Sequence, residues 1–209
     1  MSLLFTTAAF SQVELPKIEV SAEYSFLRFN PSLPELSNSN FNGGGGGIAW
    51  FFSRYLGVKS EFIGYAKDTW TVTFQTPLVV TPHNTVANIP AGSYSANASM
   101  FTYQFGPVAR IPFHRLTVFG EVLFGGALTN GYGNIQRSID LGHGTLPLTG
   151  NQNTFAMVAG GGVDLRVSKR VALRLAEVDY FLTRYTNPIT LSTSQNNFRY
   201  CAGIVFQSH

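Results

Sequence analysis

The residues from Thr154 to Val167 read TFAMVAGGGVDLRV. With a period of two, Phe155, Met157, Ala159, Gly161, Val163, Leu165 and Val167 share one face. Thr154, Ala156, Val158, Gly160, Gly162, Asp164 and Arg166 share the other. A helix would mix these two sets, whereas a strand separates them. The first face holds nothing that hydrocarbon would reject, and both charges lie on the second. Such a strand suits a barrel with lipid outside and a crowded lumen inside.

The same alternation recurs along the chain. Phe198, Tyr200, Ala202, Ile204 and Phe206 oppose Asn197, Arg199, Cys201, Gly203, Val205 and Gln207. Ile18, Val20, Ala22, Tyr24 and Phe26 oppose Glu19, Ser21, Glu23 and Ser25, while Leu116, Val118, Gly120, Val122 and Phe124 oppose Thr117, Phe119 and Glu121. Four less regular segments, Gly47 to Phe52, Val58 to Tyr65, Phe101 to Ala109 and Val171 to Leu182, bring the total to eight. In the last, Arg174 and Ala176 fall on one face but Glu177 and Asp179 on the other, which points to a bulge or to a strand leaving the membrane.

The connections alternate in length. Ser53 to Tyr55, Arg110 to Arg115 and Ser168 to Arg170 are tight; Asn30 to Asn42, Lys67 to Ser95, Thr129 to Asn153 and Thr186 to Asn196 are long and polar. Short periplasmic turns and long external loops mark outer-membrane barrels, and an even strand number puts both chain ends on the turn side. Within the second loop, Trp70 to Phe74 and Leu78 to Val80 are apolar enough to extend the strands past the membrane.

Composition agrees. Charged residues are 12% of the 209, aromatics 14%, and Phe alone numbers 18. That charge content is too low for an ordinary soluble surface. No run approaches the roughly 20 apolar residues of a membrane-crossing helix, and the mean hydropathy is only +0.09. Hydrocarbon offers no partner to an open sheet edge, so the remaining membrane architecture is a closed barrel. The formal charge of +3 is spread without a basic run, which argues against nucleic-acid binding. Cys201 is the single cysteine, so no intrachain disulfide forms; it reads as a small interior residue. Residues 1–11 resemble a truncated signal peptide, with Ala9-Phe10-Ser11 like an export cleavage site, leaving residues 12–209 as one barrel domain.

Four stretches carry a family resemblance: FNGGGGGIAWFFSRYLGVKSEFIGY (41–65), FGPVARIPFHRLTVFGEVLFGGA (105–127), FAMVAGGGVDLRVSKRVALRLAEVDYFLTRY (155–185) and NNFRYCAGIVF (196–206). The chain resembles outer-membrane β-barrel proteins of the OmpA-like transmembrane-domain type, in particular lone barrels without a peptidoglycan-binding domain. The resemblance implies an eight-stranded antiparallel up-and-down barrel in the bacterial outer membrane. It further implies contact with outer-membrane lipids and lipopolysaccharide, and recognition by the barrel assembly machinery. Glu121 stands where the family often has His, and Gln-Ser-His follows Phe206, the residue type with which such chains usually end.

Glu61, Glu121, Arg174 and Arg199 are expected to point inward and form a lumenal ion-pair network, either a structural plug or a gate. Gly43 to Gly47 lacks the Lys-Ser/Thr and the helix of a phosphate loop, and reads instead as relief of crowding within a strand. His83, His114, His143 and His209 fall in loops, a turn or the terminus, none on a strand beside a Ser, so no catalytic pair is expected. No metal-ligand spacing or cofactor motif is found. Trp50, Phe51, Phe52 and Tyr55, and likewise Tyr180, Phe181 and Tyr185, read as aromatic girdles, and Arg54, Arg110, Arg115, Lys169 and Arg170 make the turns basic.

The functional expectation is a non-enzymatic, monomeric barrel with a side-chain-filled lumen that displays external loops to surface ligands. The alternative is a narrow porin-like channel gated by the ion-pair network. A soluble lectin-like or lipocalin-like barrel is the third class.

Overall fold

A computed structural model describes residues 16–31, 38–80, 87–143, 150–185 and 194–208. The strands are β1 (Ile18–Phe29), β2 (Ser39–Phe51), β3 (Leu56–Phe74), β4 (Leu78–Val80), β5 (Ala87–Ile89), β6 (Gly92–Phe113), β7 (Leu116–Thr129), β8 (Gln152–Arg166), β9 (Val171–Thr183) and β10 (Gln195–Ser208), with one helix, α1 (Gly131–His143), between β7 and β8. Eight of them close into a barrel in the order β1-β10-β9-β8-β7-β6-β3-β2, every neighbouring pair antiparallel. The short pair β4-β5 stands apart. The eight segments found by alternation are these eight barrel strands.

The predicted faces hold on β1, β7, β8 and β10. Ile204 and Phe206 are exposed and Val163 and Leu165 half-buried, whereas Arg199 is 1% exposed. The outward face of β3 from Leu56 to Ala66 carries no charge. Those residues cover about 33 Å along the strand, or about 25 Å of membrane depth at a tilt near 40°, the height of an apolar barrel band.

Two bulges change the inward parity. In β3 the register slips between Tyr65 and Asp68, so Lys59, Glu61, Ile63 and Tyr65 point inward below it, and Trp70, Val72 and Phe74 above it. In β9 the slip lies between Arg174 and Glu177, and both of those residues then face the lumen. Of the two readings offered for this segment, the bulge is the one observed.

Several boundaries differ from expectation. The turn placed at Arg110 to Arg115 is only His114-Arg115, because β6 and β7 stay paired to Phe113 and Leu116. The loop placed at Asn30 to Asn42 ends at Ser39, where pairing with Phe29 already completes the backbone hydrogen bonds. Within Lys67 to Ser95, β3 and β6 pair as far as Phe74 and Gly92. The Thr129 to Asn153 loop contains α1, a helix whose 3.6-residue period leaves no trace in a pattern of period two. The expected signal peptide, residues 1–11, lies outside the described residues.

The upper lumen is aromatic. Phe29 stacks on Trp70 at 5.4 Å, Phe41 lies edge-on to it at 6.1 Å and Tyr132 at 5.2 Å. Tyr132 also meets Tyr185 at 5.6 Å. Helix α1 reaches this plug through Tyr132, Ile135 and Ile139, spaced to share one face. Gly131 permits the approach, since a Cβ there would sit 2.6 Å from the Trp70 ring and 2.8 Å from the Ala98 methyl. Phe181 and Tyr185 are therefore plug residues, and Phe51 is buried near the opposite mouth; all three leave the girdle, while Trp50, Phe52, Tyr55 and Tyr180 are exposed as expected. Trp70→Ala should cost about 3–5 kcal/mol, the usual penalty for deleting a fully buried large aromatic. Urea unfolding of the refolded protein measures it, and a loss below about 1 kcal/mol would show that the plug is not cooperative with the barrel.

Candidate functional site

Below the plug the lumen is ionic. Barrel closure at eight strands leaves room for side chains and little else, so inward residues must satisfy one another. Among the described residues, seven carboxylates, Glu19, Glu23, Glu61, Glu121, Asp164, Glu177 and Asp179, and four cations, Lys59, Arg110, Arg174 and Arg199, are buried there.

Three cations share the middle level. Lys59 Nζ lies 2.9 Å from Glu61, 3.0 Å from Glu121 and 3.5 Å from Glu177. Arg174 donates from Nε to Asp164 at 3.0 Å, and from Nη1 to Glu23 at 2.9 Å and to Glu177 at 2.7 Å. Arg199 donates to Glu61, to Asp179 Oδ2 at 2.8 Å and to Glu177 Oε1 at 3.2 Å, with Glu121 at 4.0 Å. All three cations therefore converge on Glu177. Arg174 also lies 4.3 Å from the Phe119 ring centroid, and Lys59 5.9 Å from it. Gly160 leaves space for Asp179, whose Oδ1 a Cβ there would strike.

Nearer the turns, Arg110 donates to Glu19 at 2.6 Å and to the Pro16 carbonyl at 2.7 Å, and stacks 3.5 Å from the Phe51 ring centroid. Arg110 is thus an interior residue rather than a turn cation, because β6 runs past it to Phe113 and its parity is inward. Within 4.8 Å of the Glu23 and Glu177 carboxylates, Cys201 Sγ donates to Ser25 Oγ at 3.2 Å, and Ser25 shares a 3.0 Å hydrogen bond with Tyr65. A cavity of about 20 Å³, the size of one water, lies beside Lys59, Arg110, Phe119 and Glu121.

Glu61, Glu121, Arg174 and Arg199, the four residues singled out in the sequence, all lie in this cluster, joined through Lys59 and Glu177 rather than mostly to each other. Lys59 shares its inward parity with Glu61, a signal that was present and unused. Glu177 and Asp179 were hidden by the bulge. Glu61, Glu121 and Glu177 place carboxylate oxygens within 4.8 Å of one another, a spacing a metal could use, but the Lys59 ammonium already sits among them. Gly43 to Gly47 belongs to β2, and a Cβ at Gly45 or Gly46 would strike the carbonyl oxygen of Phe62 or Ser21, so the run serves close strand packing. His114 sits in its turn at φ 43°, and His143 ends α1; His83 and His209 lie outside the described residues.

Removing one member of a buried ion cluster leaves its partners uncompensated, typically at about 3–5 kcal/mol. Glu177→Gln should therefore destabilise the refolded barrel by that order, and more than Glu121→Gln, whose two close contacts are both to Lys59. Equal losses in urea titrations would show that Glu177 has no central place.

No protein-family model matches this chain, and no curated protein matches it. Solved structures do. Neisserial surface protein A is 11% identical over 93% of this chain and 99% of its own, with a TM-score of 0.60. The outer membrane protein OprG of Pseudomonas aeruginosa is 8% identical over 93% and 97%, with a TM-score of 0.52. The attachment invasion locus protein Ail of Yersinia pestis, crystallised with the heparin analogue sucrose octasulfate, is 12% identical over 92% and 100%, with a TM-score of 0.50. At such identities the likeness is one of fold, and the fold is that of the small OmpA-like barrels of bacterial outer membranes.

Proposed function

We propose that this chain is a monomeric, non-enzymatic barrel of the bacterial outer membrane that anchors a loop-bearing outer face and keeps its lumen shut. The observation that carries this reading is the two-level filling of the lumen, ionic around Glu177 and aromatic around Trp70, inside a ring whose outer belt is uncharged. Its partners in this reading are outer-membrane lipids and lipopolysaccharide around the belt, the assembly machinery during insertion, and surface ligands at the loops.

Display is supported by the β3–β6 ribbon. Pairing with β2 stops at Tyr65 and pairing with β7 at Met100, yet β3 and β6 continue together to Phe74 and Gly92. That leaves about nine residues per strand, or about 30 Å, beyond the ring. One face of the ribbon packs Trp70, Val72 and Phe74 into the plug, while on the other Thr71 bonds Ser95 at 2.9 Å and Thr73 bonds Ser93 at 3.0 Å. A ladder of hydroxyls at that height suits a polar partner in water.

The narrow-channel reading has one observation in its favour: seven buried carboxylates against four cations would make any water path select cations. Planar-bilayer recording separates the two. The plug predicts no steady conductance; a sustained cation-selective current altered by Arg199→Gln would establish the gate instead. For orientation, an epitope inserted after His83 should be labelled by antibody on intact cells, and one inserted between Ser168 and Lys169 only after permeabilisation. The reverse pattern would overturn the loop-display reading.

A further inference from the structure

The exposed charges described at the turn end are all basic. At the turn end, Lys17, Arg54, Arg115, Lys169 and Arg170 are exposed and Arg166 half-buried, and no described carboxylate is exposed there. Arg110 N bonds the Tyr55 carbonyl, Arg166 N the Arg115 carbonyl and Gln207 N the Arg170 carbonyl, so the three turns are tied to neighbouring strands around one rim. At the loop end Arg28, Arg137 and Arg184 are exposed and Asp68 is half-buried.

We propose that this rim binds the phosphates of anionic glycerophospholipids in the membrane leaflet at the turn end. The inference rests on the membrane reading given under Proposed function. Depth argues for lipid over a polymer in the water beyond. The turns are too short to carry their cations away from the belt: His114-Arg115 is the whole of one, between Phe113, 57% exposed, and Leu116, 42% exposed. Arg54 lies between Phe52 and Tyr55, its guanidinium 5.7 Å from the Tyr55 ring centroid, and Lys169 and Arg170 follow Val167, 62% exposed. Cations interleaved with outward apolar side chains sit at the boundary of hydrocarbon and headgroup, where the phosphates are. Arginine forks and lysine ammonium groups on a fixed rim suit phosphate diester oxygens.

Two tryptophans make the test local. Trp50 is 53% exposed at the turn end, beside Ile18 in the β1–β2 register and four residues before Arg54, whereas Trp70 is fully buried in the plug. The protein, with Trp70→Phe leaving Trp50 as the reporter, is refolded into phosphatidylcholine vesicles containing brominated phosphatidylglycerol or brominated phosphatidylcholine at equal mole fraction. Brominated phosphatidylglycerol should associate at Trp50 about fivefold more strongly, the preference one surface cation supplies. Lys17→Gln with Arg54→Gln should abolish that preference, Arg54→Lys should keep it, and salt should weaken it. Should Trp70→Phe prevent folding, the same series is read as quenching in the wild-type protein, where Trp70 contributes a constant background.

Equal quenching by the two lipids in a folded, quenchable barrel would overturn the lipid assignment while leaving the membrane reading intact. Quenching by neither lipid would overturn the membrane reading itself. Co-sedimentation of the detergent-refolded barrel with peptidoglycan sacculi, lost in the same double variant and unaccompanied by lipid preference, would assign the rim to an anionic polymer and overturn the proposal.

Discussion

The ionic layer of this barrel is arranged around a carboxylate that three cations share. Glu177 lies within 3.5 Å of Lys59, 2.7 Å of Arg174 and 3.2 Å of Arg199, and those cations reach carboxylates on β1, β3, β7, β8 and β9. A cluster that spans the bore is worth little as isolated pairs, because desolvation offsets much of the attraction. Its physical effect is register. Strands β1, β3, β7, β8, β9 and β10 each carry ionic side chains that must land at one level, and a slip of one residue would turn them toward the lipid.

The bulge in β9 is what makes this convergence geometrically available. Regular alternation would put Arg174 and Glu177 on opposite faces; one extra residue between them turns both inward. The bulge in β3 does the same for a different purpose, switching the inward set from the ionic Lys59 and Glu61 to the apolar Trp70 and Val72. Two insertions of one residue each thus coincide with the two chemistries of the lumen. An aromatic plug over an ionic layer is ordered so that the charges lie deep in the ring, shielded from outer water by rings that need few hydrogen bonds. Burial also pushes the Tyr132 phenol above its usual titration range, so it remains neutral within the plug.

This division explains which parts of the structure could be read from the chain. Alternation at Thr154 to Val167 and Asn197 to Gln207 is uninterrupted, and both strand and facing were legible there. Glu121 and Arg199 were legible as interior for the same reason, whereas Glu61 and Arg174, also placed inside, lie in less regular segments. Glu177 was not, since parity counted across a bulge gives the wrong face, and nothing in LRLAEVDY marks which residue is the extra one. Phe51, Phe181 and Tyr185 were misplaced because an aromatic near a strand end satisfies a girdle and a plug equally well by composition. Helix α1 was missed because GYGNIQRSIDLGH carries two glycines near its start and depends on Trp70 and Ala98 for its seat, a contact no local pattern encodes.

The distribution of charge follows from one cost applied in three places. Hydrocarbon excludes ions from the outer belt, so the acidic residues of the strands have only the lumen or the ends to occupy. Below the β3 bulge, every acidic residue described in the barrel strands took the lumen: Glu19, Glu23, Glu61, Glu121, Asp164, Glu177 and Asp179 are all buried. Four cations followed them inward, and of those that remained outside Arg54, Arg115, Lys169 and Arg170 lie on the three short turns, with Lys17 and Arg166 at the same end. The acid-rich bore and the basic rim are therefore linked consequences of closing a narrow barrel in lipid, and the rim is basic partly because the bore is acidic.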